Sequence, residues 1–186
     1  MLRALIFALG VVLTLVDPAR AEEWRAVEPS RTIKFTAPGL EGVEPRYIAE
    51  QHFPTYSYRE VGVWTGATGA RAEIMYAQAA PGRVFDPVAI ALGATDIKNW
   101  NFFKNTEITV GSTLQGSNAY GPVESVTFSH TGAQCFAFRQ YTGEHNEDLR
   151  ARKSNLVSGY YCAEPRRSLS AEEIHVTLRL FRLEAR

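Results

Sequence analysis

The chain has little of what catalytic and metal-binding sites are usually built from. It holds 2 cysteines and 4 histidines in 186 residues. The histidines, His52, His130, His145 and His175, stand in neither His-x-His nor His-x-x-x-His spacing, so no metal ligand set is spelled out. No Gly-x-Ser-x-Gly elbow and no Ser-x-x-Lys pair offers an activated nucleophile. Gly116, Gly121 and Gly132 fall between predicted strands rather than leading a strand into a helix, which excludes a dinucleotide or phosphate cradle. The formal net charge is +0. That lacks the basic footprint of a nucleic-acid binder, and the run Arg150 to Lys153 is offset by Glu144, Glu147 and Asp148. Internal repeats and low-complexity linkers are absent. No cofactor and no metal is expected from these residues.

One long apolar run is present. Ala4 to Val16 is interrupted by a single polar residue, Thr14, and is preceded by Arg3. Asp17-Pro18 then breaks a helix, and Ala19-Arg20-Ala21 fits the small-x-small pattern of a cleavage site. The run is shorter than the ~20 residues needed to span a bilayer. The expectation is a signal peptide over 1–21, cleaved after Ala21, and a periplasmic or secreted product without a membrane span. The remainder, 22–186, suits one globular domain. Cleavage removes two of the 20 basic and one of the 20 acidic residues, which leaves a net charge near −1. In an exported chain the two cysteines, Cys135 and Cys162, read as one disulfide, and there is no C-x-x-C spacing for a redox pair.

Strand signals dominate the middle of the chain. Trp24 is expected to pin the mature N-terminus to the body. Arg31 to Phe35 alternates and reads as a short strand, and Pro38 to Pro45 is turn-rich. Tyr56 to Thr65 and Ala70 to Ala79 are predicted to form a hairpin about Gly66 to Gly69. Asp86-Pro87 reads as a helix start, with a buried helix over Val88 to Asn99 that Gly93 weakens. Glu107 to Leu114, Val123 to His130 and Cys135 to Tyr141 read as strands, with turns at Gly116 to Asn118 and Thr131-Gly132. Val126, Phe128, Phe136 and Phe138 are the predicted core, and Cys135 falls on the opposite face from Phe136 and Phe138. Leu156 to Ala163 is a further strand that must bring Cys162 beside Cys135.

The last segment is ambiguous. Ser170 and Glu173 form a capping box, which favours a helix over 170–183. Ile174, Val176, Leu178 and Leu180 alternate with polar residues, which favours a strand. The helix is preferred because a capping box marks a start that alternation alone does not. The expected class is α+β: an antiparallel sheet with one or two helices and a single disulfide. An all-β sandwich is the alternative.

Candidate binding residues are few. The aromatic stretch Phe53, Tyr56, Tyr58 and Trp64, with His52 and Arg59, has the composition of a ligand groove. The competing explanation is packing on the sheet. Tyr120, at a turn, is a candidate partner contact. Glu144 to Asp148 is a dense polar cluster that reads as a solvated loop.

Cys135-Phe-Ala-Phe-Arg-Gln140, Gly159-Tyr-Tyr-Cys162-Ala and Leu169-Ser-Ala-Glu-Glu-Ile174 resemble a pattern in small exported bacterial proteins of unknown function, over roughly 123–183. The resemblance implies a bacterial periplasmic location and an α+β fold, and no activity. Together these features point to a soluble periplasmic protein without a catalytic role, a binding or accessory module for an envelope partner or small ligand. A periplasmic hydrolase or metal-dependent enzyme using His52 or the Glu144 to Asp148 loop, and a structural envelope protein, are the rival expectations.

Overall fold

A hairpin forms wherever its turn chemistry is favourable, and this chain is largely a succession of hairpins. The computed structural model describes residues 25–26, 31–52, 56–85, 91–144 and 153–185. The expected leader, Trp24, the Asp86-Pro87 helix start and the loop residues His145 to Asp148 lie outside them. In chain order the strands are β1 (Arg25–Ala26), β2 (Arg31–Lys34), β3 (Arg46–His52), β4 (Tyr56–Thr65) and β5 (Arg71–Ala79). Helix α1 (Ala94–Lys98) follows, then β6 (Thr109–Asn118), β7 (Gly121–His130), β8 (Ala133–Glu144) and β9 (Lys153–Cys162). Helix α2 (Ala171–Leu180) and β10 (Arg182–Ala185) end the described chain.

Eight strands make one antiparallel sheet in the order β1-β3-β4-β5-β9-β8-β7-β6, and β10 pairs with β2 beside it. Two meanders, β3-β4-β5 and β6-β7-β8-β9, thus meet along β5 and β9. The antiparallel sheet, the helices and the disulfide are as the sequence predicts. The balance between them is not. Among the described residues, two short helices beside ten strands place the fold nearer the all-β alternative than α+β. It differs from a sandwich of two comparable sheets, because one large sheet carries cover on both faces.

The first face buries Trp64, Ile74, Phe136, Phe138 and Tyr161 beneath Ile174, Leu178 and Phe181 of the C-terminal segment and Ile33 and Phe35 near the start. Gly62 is required here, since a Cβ at that position would stand 2.5 Å from the Trp64 ring. The second face buries Val126, Phe128, Cys135, Ala137 and Tyr160 beneath Ile97 and Phe103. The four predicted core residues are all buried, but as two pairs on opposite faces. Strand β8 shows why: Cys135 to Phe138 are buried without a break, as expected of a strand covered on both sides.

The Thr131-Gly132 hairpin turns as predicted, with φ of 45° and 78° at the two loop residues. Both values are positive, as a type I′ turn requires. The predicted turn at Gly116 to Asn118 does not occur. Those residues continue β6 to its register partner Gly121, and the chain reverses at Ala119-Tyr120. The predicted helix over Val88 to Asn99 is also shorter. Residues 91–93 are not helical, and α1 begins after Gly93, whose extended φ of −149° stops a helix from running through it. Asp96 accepts the Gly93 N–H at 2.9 Å, so the carboxylate starts the helix there. Nor is α1 buried all round: Ile97 is buried and Ala94, Thr95 and Lys98 are exposed. The C-terminal helix does form, over Ala171–Leu180. Ser170 Oγ accepts the Glu173 N–H at 3.1 Å, and Glu173 accepts the Ser170 N–H at 2.9 Å. Such a cap is worth about 1 kcal/mol.

Cys135 and Cys162 form the disulfide and are direct register partners on β8 and β9, with Cα atoms 4.0 Å apart. Replacing Cys135 by Ser should cost the oxidised protein about 3–4 kcal/mol on the chain-entropy account. Reduced wild type should then melt with the variant, and equal melting of oxidised wild type and variant would count against the bridge as a stabilising element. Phe138 is 2% exposed and packs its ring against Phe136 and Phe181. Phe138→Ala should cost about 3–5 kcal/mol in denaturant unfolding, and a cost below about 0.5 kcal/mol would be that of a surface position.

Candidate functional site

The connection from β5 to β6 has to pass β9, β8 and β7 to reach the far edge of the sheet. It does so across the second face, where Ile97 and Phe103 settle over Tyr160, Phe128 and the disulfide. Among the described residues, that cover puts no residue of β3, β4 or β5 into the buried cluster on this face. The uncovered part of the sheet and the flank of the crossover enclose a groove of about 680 Å³.

Strand alternation decides what lines it. Val61 and Val63 on β4, Met75 on β5 and Leu156 on β9 form an apolar floor. Trp100 and Phe102 stand on the crossover side. Ile48 and Phe102 are exposed at 43% and 39%, so two of the five exposed large apolar side chains among the described residues line this one groove.

Three arginine clusters border the floor. Arg59 and Glu50 are register partners on β4 and β3 and meet at 2.7 Å. Arg71 reaches Glu73, two residues on, at 2.5 Å, and its Nε donates to the Tyr160 hydroxyl at 3.0 Å. Tyr160 in turn donates to Glu73 at 2.8 Å. The Arg71 guanidinium also lies 4.5 Å from the centre of the Phe102 ring, a cation–π distance. Arg139 on β8 pairs with Glu124 on β7 at 3.0 Å and with Asp96 of α1 at 3.6 Å. Glu124 also accepts the Leu92 N–H at 2.9 Å, so this bond and the Arg139–Asp96 pair tie the crossover to the sheet at two points.

Burial, reinforced by the neighbouring Glu73 carboxylate, pushes the Tyr160 hydroxyl far above the ordinary tyrosine range. Burial works against the Arg71 charge, but the bonds to Glu73 and Tyr160 outweigh it and its pKa is raised. Tyr160 therefore stays a neutral donor and Arg71 a cation at any physiological pH. On the other face, burial raises Tyr161 to about 12, where its hydroxyl donates to the Pro38 carbonyl at 2.5 Å.

The predicted aromatic stretch is divided by a register shift between Tyr56 and Tyr58. Tyr56 and Arg59 line the groove, with Tyr56 stacked on Phe85 at 6.0 Å. Tyr58 and Trp64 turn to the opposite face and belong to the core, where the Tyr58 hydroxyl donates to buried Glu60. His52 ends β3 with its side chain outside the described part, as is Phe53. Tyr120 packs against Phe181 at 6.0 Å, and its hydroxyl accepts the Leu183 N–H at 2.7 Å, so it fastens β10 to the sheet. His130 rests on the rings of Phe102 and Phe103, whereas His175 is on α2 beside Gly116. Among the described residues no three His, Cys, Asp or Glu side chains gather where they could hold a metal ion.

Sequence reading missed Arg71, Glu73, Tyr160, Arg139 and Glu124. The one local sign of them is the Arg71-x-Glu73 spacing, which sets two opposite charges on one face of a strand. No protein-family model matches the chain, and no curated protein or solved structure matches it.

The raised pKa of Tyr160 and Tyr161 has a direction in pH. The stability they contribute is complete below the unfolded tyrosine value of about 10 and declines above it, because the unfolded chain releases those protons first. Ultraviolet titration should show a fraction of the 8 tyrosines resisting ionisation until the protein unfolds. Tyr160→Phe should remove one tyrosine from that fraction, and an unchanged fraction would contradict the assignment.

Proposed function

We propose that this protein is an exported, non-catalytic binding module and that the groove on the second face of its sheet takes a small amphiphile. The observation carrying this is the groove itself: an apolar floor that the described residues leave open, with exposed Ile48 and Phe102 at its margins. A floor of Val61, Val63, Met75 and Leu156 suits an aliphatic or aromatic body. The bordering arginines and carboxylates suit a polar head that takes and gives hydrogen bonds. Arg59, Arg71 and Arg139 are each already held by a carboxylate, so they are oriented before a ligand arrives and little side-chain entropy is lost on binding. Export rests on the Arg3 to Ala21 leader pattern and on the resemblance over 123–183, which also support a periplasmic location. Among the described residues no helix is long and apolar enough to cross a membrane.

The reading is tested by native mass spectrometry of the protein exported under its own leader. A bound mass of a few hundred daltons should be present in the wild type and lost in Val63→Trp, which fills the floor. A bare wild-type chain, or a bound mass indifferent to Val63→Trp, would argue against the groove as the site. A denatured run reports the cleavage point in the same experiment.

A further inference from the structure

The two edges of the large sheet are treated differently. At one edge β3 is overlaid by β1 and carries Arg46 and Glu50. At the other, β6 (Thr109–Asn118) runs ten residues as the last strand among the described residues and contains no charged residue and no proline. Edge strands are commonly guarded by charge, proline or a bulge. Here one extra residue between Val110 and Thr113 disturbs the first part of the strand, and Thr127 Oγ1 takes up the Ser112 N–H at 2.9 Å. From Thr113 to Asn118 the ladder to β7 is regular.

Main-chain groups alternate in direction along an antiparallel pair. Asn118 and Gly121 close the two-residue turn and face each other. Counting back, Gly116 and Leu114 point their N–H and C=O toward β7, and Thr113, Gln115 and Ser117 point theirs outward. The side chains of these last three are exposed as well.

We infer that this edge binds a second copy of the chain, as an antiparallel β6–β6 pair with Gln115 on the two-fold axis. The sequence is self-complementary about that residue. Gln115 meets its own copy, and Thr113 meets Ser117 of the other chain, in both directions. Each of these is an outward-facing position, so the three register pairs close hydrogen-bonded rings across the axis. Amide–amide and Thr–Ser contacts are among the favourable cross-strand pairs. On the opposite side of the strand Leu114, half-buried in its own subunit, lies across from Gly116 of the other, which has no side chain to obstruct it. An uncharged strand places no like charges in register. The contact is isologous, as a two-fold dimer requires, and it joins two sheets into one. His175 and Arg179 of α2 border Gln115 to Ser117 on the first face. Two copies bring two Arg179 guanidiniums toward the axis, so added salt, which screens them, favours pairing.

Sedimentation of the full mature chain over a wide concentration range tests this. The expected result is a reversible monomer–dimer equilibrium, strengthened by salt. Gln115→Lys sets two ammonium groups on the axis. Gln115→Pro removes only an outward N–H that the β6–β7 ladder does not use. Each should weaken the dimer by at least about tenfold, or 1.4 kcal/mol, with melting unchanged at concentrations where the wild type is monomeric. Val63→Trp should leave the dimer intact, which separates this result from the fate of the groove. A wild type that stays monomeric throughout, as it would if the edge served a different protein, overturns the inference. So does a dimer that tolerates both Gln115 variants.

Discussion

Arg139 holds the crossover to the sheet, and the second face depends on that attachment. Its side chain is 10% exposed and lies between Glu124 and Asp96, one from the sheet and one from α1. A guanidinium this sheltered is costly to leave without counter-charge, more so than a surface pair. Glu124 spends its other oxygen on the Leu92 N–H, so one small ionic knot fixes both the entry of the crossover and its helix. Ile97 and Phe103 then fall over Phe128 and Tyr160, and the face is sealed where the knot places them.

The same geometry explains why a groove exists. A crossover from β5 to the far edge has β9, β8 and β7 to traverse, and among the described residues it leaves most of β3 to β5 open on that side. Two arginines along this face are paired across or along strands: Arg59 by Glu50, Arg71 by Glu73 and Tyr160. Paired polar margins thus frame an apolar floor that the described residues leave open.

Local features of the sequence were legible where local chemistry decides them. Thr131-Gly132, the Ser170–Glu173 box and the hairpin about Gly66 to Gly69 are set by residues within a few positions of one another. The disulfide followed from having two cysteines behind a leader-like N-terminal pattern. The class was less legible because strands covered on both faces lose their alternation, as Cys135 to Phe138 do. Strand β6 was cut short because Gly116-Ser-Asn has turn composition but sits on an edge, where packing asks little of a residue. The site was legible only at Tyr56 and Arg59. Tyr58 and Trp64 go to the core by ordinary alternation with Arg59, and Tyr56 parts from them because of a one-residue register shift, which has no signature in composition. Arg71 and Tyr160, or Arg139 and Asp96, meet only through sheet pairing and a long crossover, which no local spacing encodes.

The Cys135–Cys162 bridge closes the β8–β9 hairpin at the end farthest from its own connection. A backbone break anywhere between the two cysteines therefore leaves one covalent molecule. Each fragment also keeps its outer neighbour, β8 its ladder to β7 and β9 its ladder to β5. Proteolytic nicking between β8 and β9 would break the chain without releasing a strand, and the centre of the sheet would outlast the continuity of its own chain.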